Sequence, residues 1–166
     1  MTARGPSGAT SCVPPSSADD ARLDRQSRIT LLADHARNPR HKGVLEGADV
    51  AMPGGSPECG GSVVVFLKGD GDGRIEDLAF TGEGDTISMG ATSILMQRVH
   101  EEGLTMEEAL ALDYDEFVEG LGREVIGSRT RNATLGLSTL KSAIRKYQRE
   151  ALRAGTGPER PVAEPA

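Results

Sequence analysis

The 166-residue chain carries two thiols, Cys12 and Cys59. Cys12 stands in a stretch dominated by Ser, Pro, Gly, Ala and Thr. Cys59 stands in Pro57-Glu58-Cys59-Gly60-Gly61, just before the β-rich run Ser62–Lys68. A buried cysteine behaves as a small hydrophobe. One held between turn-forming residues is placed for exposure, and glycines after it let another group approach the backbone. A nucleophilic or metal-binding thiolate is therefore the expected role of Cys59. The two cysteines lie in unlike segments, so no structural disulfide is expected and a reducing, cytoplasmic setting is.

Other chemistry-bearing patterns read as structure. Asp70 and Asp72, within Lys68-Gly69-Asp70-Gly71-Asp72-Gly73, fall at positions 3 and 5 of a calcium-loop pattern. Lys68 and Ala79 then occupy positions 1 and 12, where acidic ligands are needed, so a hairpin turn is expected instead. Gly82-Glu83-Gly84-Asp85 runs from strand to helix but lacks the spacing of a phosphate loop, and its two acids would repel a phosphate. His35, His41 and His100 show no paired ligand spacing and are expected at the surface or at helix ends. No nucleophile, base and orienter come together, so the chain is not expected to be an enzyme in its own right.

These residues need elements to position them. Ile29, Leu32, Ala33 and Ala36 mark one face of a helix that must stop before Pro39. Strands are expected over Val44–Met52, Ser62–Lys68 and Arg74–Thr81, the last two joined by the Asp-Gly hairpin. Ile87, Ala91, Ile94 and Leu95 mark a helix over Asp85–Glu102, with Asp85 or Thr86 as its N-cap. A break follows at Gly103, and Thr105-Met106-Glu107-Glu108 reads as a capping box. A short helix over Asp113–Leu121 and a long one from about Asn132 complete the pattern, and Asn132 is a second N-cap candidate. The fold class is α+β, a small three-stranded antiparallel sheet covered by helices. Residues 1–25 and 153–166 read as disordered tails around a domain at 26–152.

Composition limits the function classes. A net charge of −6, 3% aromatics and no Trp argue against nucleic-acid binding. The longest strictly apolar run is Val63–Leu67, against roughly 20 residues for a membrane span, so no membrane is expected as a partner.

Four segments together resemble the U-type iron–sulfur cluster assembly scaffolds (SufU, IscU and the N-terminal domain of NifU), with SufU the nearest pattern. Asp34-His35-Ala36-Arg37-Asn38-Pro39-Arg40-His41-Lys42-Gly43 resembles D-H-x-x-N-P-R-N-x-G. Pro57-Glu58-Cys59-Gly60 resembles the P-x-C-G-D loop. Phe80–Ser93 resembles F-x-G-x-G-C-x-I-S-x-A-S-A-S, and Arg129–Leu135 resembles R-x-x-C-A-T-L. The resemblance implies a three-stranded sheet with helices, an iron–sulfur cluster or zinc as cofactor, and a SufS-type cysteine desulfurase as partner. It implies site positions at Cys59, Asp85 and Asn132. Asp85 and Asn132 stand where the family has cysteines, Gly61 where it has an aspartate, and Arg131 where IscU-type members have a histidine. Clusters are held by several soft thiolates and zinc by a tetrahedron of Cys, His or carboxylate. One thiolate, one carboxylate and a neutral amide do not make such a set in a single chain. The expected function is a divergent scaffold relaying sulfur from a desulfurase through Cys59 as acceptor, with Arg131 helping to lower the thiol pKa. The alternatives are a non-catalytic module that docks on a desulfurase, and a metal or cluster site shared by two copies in a homodimer.

Overall fold

The computed structural model describes residues 25–56, 58 and 60–154. The expected tails, 1–25 and 153–166, lie outside the described part except at Arg25, Arg153 and Ala154, of which Arg25 and Arg153 belong to helices. The first helix, α1, spans Arg25–Arg37 and ends two residues before Pro39, as the proline requires. Three antiparallel strands follow in the order β1-β2-β3, over Val50–Ser56, Gly61–Gly69 and Ile75–Gly84. The β2–β3 hairpin is set by Asp70. Its Oδ1 accepts the backbone N–H groups of Asp72 at 2.7 Å and Arg74 at 3.1 Å, the self-capping turn that an Asp-Gly repeat favours.

The first strand differs from expectation. It begins at Val50, six residues after Val44, which is 70% exposed. Gly43 and Gly47 take positive φ and turn this segment away from the sheet. The strand continues through Pro53-Gly54-Gly55, poor β-formers whose register is imposed by pairing, with Pro53 opposite Val64. Proline is tolerated there because β1 is an edge strand.

Helix α2 spans Thr86–Glu102 and is capped by Asp85, whose carboxylate accepts from the Ser88 N–H. The capping box forms as read: Thr105 and Glu108 exchange side-chain and backbone bonds at the start of α3, Met106–Leu110. Asp113 caps α4, Tyr114–Leu121. A single turn, α5 (Arg123–Ile126), leads to the 24-residue α6, Thr130–Arg153.

Val63, Val65 and Leu67 of β2 face Leu78 and Phe80 of β3 on one side of the sheet, and all five are buried. Helices α2 and α6 cover that side. Leu95, Met96 and Val99 of the former meet Leu137, Leu140 and Ile144 of the latter in one core. Burying a large aliphatic side chain contributes about 1.5–3 kcal/mol before ordering costs, so this layer holds the domain together. Helix α1 lies against α2, where a Cβ on Gly90 would come 2.5 Å from the Leu32 carbonyl oxygen.

The D-H-x-x-N-P-R segment turns out to be a lock at the end of α1. Arg40 Nη2 pairs with Asp34 Oδ2 at 2.7 Å, and the Asn38 side chain donates to Asp34 Oδ1 at 3.3 Å. Ser93 Oγ on α2 lies 2.8 Å from His35 Nδ1 and accepts the Arg40 backbone N–H at 2.8 Å. His35 and His100 sit in last turns of helices, one of the two places expected for them, and His35 is buried there, only 4% exposed. His41 and His100, distant in sequence, stack with ring centroids 3.7 Å apart.

Candidate functional site

The site lies where the β1–β2 connection, the end of β3 and the start of α6 meet. The connection is residues 57–60. Cys59, the expected sulfur acceptor and first ligand position, lies outside the described residues, as does Pro57. Gly60, bonded to Cys59, is described and is tightly held. Its carbonyl accepts the Asp85 backbone N–H at 3.1 Å and the Ser88 hydroxyl at 3.4 Å. It takes φ +94°, and a Cβ there would fall 2.6 Å from Asn132 Nδ2. Only glycine suits both the conformation and the contact.

Asp85 and Asn132, 47 residues apart in sequence, come together. Asn132 Nδ2 donates to Asp85 Oδ2 at 2.7 Å, while Asp85 Oδ1 accepts the Ser88 N–H at 2.7 Å. A carboxylate only accepts, so the amide orientation of Asn132 is fixed by its partner. The Arg129 guanidinium stands 3.7 Å from Asp85 Oδ2. Partial burial pushes the Asp85 carboxyl up. The bonds from Ser88 and Asn132, with the Arg129 charge, outweigh it and hold the group below the ordinary carboxylate range.

The expected N-cap role is thus observed for Asp85 but not for Asn132. Helix α6 begins two residues earlier, at Thr130, with Arg129 at the cap position and no side-chain cap bond. Asn132 therefore sits inside the first turn, and its amide turns to Asp85. Arg131, the cation expected beside the site, is exposed and lines a groove of about 460 Å³ with Gly55, Gly61, Tyr114, Asn132 and Leu135. The cation that reaches Asp85 is Arg129, to which the sequence reading gave no role. Its signal was its place as first residue of the R-x-x-C-like segment. Tyr114, on the groove wall, is held from behind by Lys141, whose ammonium lies 4.3 Å from the ring centroid and donates to the Leu112 carbonyl.

The donors at this site do not fit a zinc ion or a cluster. Both Asp85 oxygens are engaged, Asn132 presents its donor side to Asp85, and a guanidinium stands beside them. Among the described residues no three His, Cys, Asp or Glu side chains gather into a metal-binding group. Adding Cys59 brings one soft ligand, where a cluster takes several.

A family model described as NifU-like N terminal domain matches residues 29–154, from the first helix to the end of the last. The chain belongs to that family. This NifU-like domain is 33% identical over 135 residues to the iron-sulfur cluster assembly scaffold protein IscU of Streptococcus pyogenes serotype M1, covering 71% of this chain and 82% of the relative. It is 32% identical over 146 residues to the zinc-dependent sulfurtransferase SufU of Bacillus subtilis (strain 168), covering 78% and 96%. In shape it resembles the N-terminal NifU-like protein of Brucella abortus, with a TM-score of 0.62 at 21% identity, covering 82% of this chain and all of that one (100%). The three-stranded antiparallel sheet with helices is the fold of these NifU- and SufU-like proteins. Among the described residues no helix is long and apolar enough to cross a membrane.

Proposed function

We propose that this NifU-like domain relays sulfur from a cysteine desulfurase through Cys59, without a resident metal. The observation that carries the reading is the pairing of Asp85 with Asn132, which uses up two positions where the resemblance places ligands and leaves Cys59 as the one thiol inside the matched span. Similarity to a protein named a zinc-dependent sulfurtransferase supports the chemical class. In the step proposed, the Cys59 thiolate attacks the terminal sulfur of a persulfide on the desulfurase. A new S–S bond forms on Cys59, the S–S bond to the desulfurase cysteine breaks, and that cysteine leaves as a thiolate. The exchange is redox-neutral, and its rate depends on thiolate character and access at Cys59.

Incubation with a desulfurase and free cysteine, followed by intact-mass and peptide mapping, tests the relay. One added sulfur atom on Cys59, absent from Cys59→Ser, is expected. No added sulfur, or equal transfer to Cys59→Ser, rejects the relay.

The loss of donors within a kept fold also favours a second reading, a docking module that binds a desulfurase and modulates it. A complex that survives Cys59→Ala, with no sulfur transferred to the native protein, selects this reading over relay. Absence of any complex counts against both.

A further inference from the structure

We propose that the Asp85–Asn132 hydrogen bond is a metal-independent clasp that seats Gly60, the residue after Cys59, between the end of β3 and α6. Three contacts converge on it. Asp85 directly follows β3 and caps α2 through Ser88. Its Oδ2 accepts from Asn132 on the first turn of α6 at 2.7 Å. Its backbone N–H donates to the Gly60 carbonyl at 3.1 Å, and Gly60 lies flat against the Asn132 amide, where a Cβ would meet Nδ2 at 2.6 Å. The strand end, the two helices and the residue after Cys59 are therefore joined by hydrogen bonds centred on one residue, two through the Asp85 carboxylate and one through its backbone N–H. A divalent cation entering here would compete with the Ser88 and Asn132 bonds for the Asp85 oxygens and would face the Arg129 guanidinium 3.7 Å from Oδ2. Metal binding and the clasp thus oppose each other. The clasp rests on the same metal-free reading of the site but not on the sulfur relay, because it holds whether or not Cys59 ever carries sulfur.

The full chain in a Cys12→Ser background leaves Cys59 as its single thiol and gives two readouts: the thermal midpoint, and the rate of Cys59 alkylation by iodoacetamide, each with saturating zinc chloride and with EDTA. The clasp predicts a midpoint equal within about 1 °C in the two conditions and an alkylation rate equal within about twofold, since a thiolate free of metal stays reactive. Asn132→Ala, with zinc absent, is expected to lower the midpoint by about 3–8 °C through loss of a charge-assisted bond. Asp85→Cys combined with Asn132→Cys replaces the clasp by soft donors, and zinc is then expected to slow Cys59 alkylation by about tenfold or more. Zinc protection of Cys59 or a zinc-raised midpoint in the Cys12→Ser protein overturns the proposal, as does an unchanged midpoint in Asn132→Ala. If the double-cysteine variant does not fold, the zinc and EDTA arms on the Cys12→Ser protein still decide.

Discussion

Asp85 does two energetically distinct things, and their sizes can be separated. Capping α2 is worth about 1 kcal/mol, and a hydrogen bond to a charged, half-buried carboxylate about 1.5–3 kcal/mol. The Arg129 ion pair adds little, because its guanidinium side chain is 62% exposed and such pairs contribute about 0–1 kcal/mol. Asp85→Ala is therefore expected to lose about 2–4 kcal/mol in urea denaturation. Asp85→Asn keeps a good capping residue and should lose about half as much or less. Equal losses for the two variants would mean that the charge carries the whole effect and capping geometry none of it. The histidines set the pH dependence. Burial, joined by Arg40, lowers the His35 pKa, and burial with His100 lowers that of His41, both from 6.5. The unfolded chain then binds protons more readily than the folded one. The stability these groups confer is present above about pH 6.5 and is lost as pH falls through 6.5 toward the folded-state values. A thermal midpoint that falls between about pH 7.5 and 5, with a shallower fall in His41→Asn, is expected. Asparagine suits that test because His41 sits at φ 60°, a left-handed conformation that Asn tolerates. A midpoint flat across this range contradicts the assignment.

At the scale of elements, local chemistry was legible wherever one short segment decides its own shape. The Asp70 turn, the Asp85 cap, the Thr105–Glu108 box and the Asp113 cap are all readable from neighbours within four residues. What the sequence hid needs the chain to close on itself. The register of β1 through Pro53-Gly54-Gly55 exists only because β2 lies beside it. The Asp85–Asn132 bond, the His35–Ser93 contact and the His41–His100 stack join residues at least 47 positions apart, beyond any local pattern. Local propensity even misassigned Asn132 as a cap, because the true helix start at Thr130 lacks a capping side chain. The packing of α1 on α2 is a similar case, since it depends on Gly90 lying against the Leu32 backbone. Gly90→Ala would gain intrinsic helix propensity of about 1 kcal/mol, yet its Cβ would sit 2.5 Å from a carbonyl oxygen that cannot rotate away. Overpacking of about 1–3 kcal/mol should prevail, and the variant is expected to be less stable by chemical denaturation. A more stable variant would show that α1 is loosely docked.

For the whole molecule, the question is what keeps the fold when the donor set is reduced. A structural zinc can supply about 10–16 kcal/mol, far more than a hydrogen-bonded clasp. A domain without that contribution must rest on its core, and the continuous layer of β2, β3, α2 and α6 side chains is of the right kind to bear it. The chain keeps the NifU-like architecture while its site presents a carboxylate and an amide bound to each other. The most direct test is the zinc, iron and acid-labile sulfide content per chain of protein purified without oxygen. Each is expected to be far below one per chain, in a folded protein whose Cys59 is fully titratable with a thiol reagent. Zinc at one per chain, or iron and sulfide in the proportions of a cluster, would contradict it.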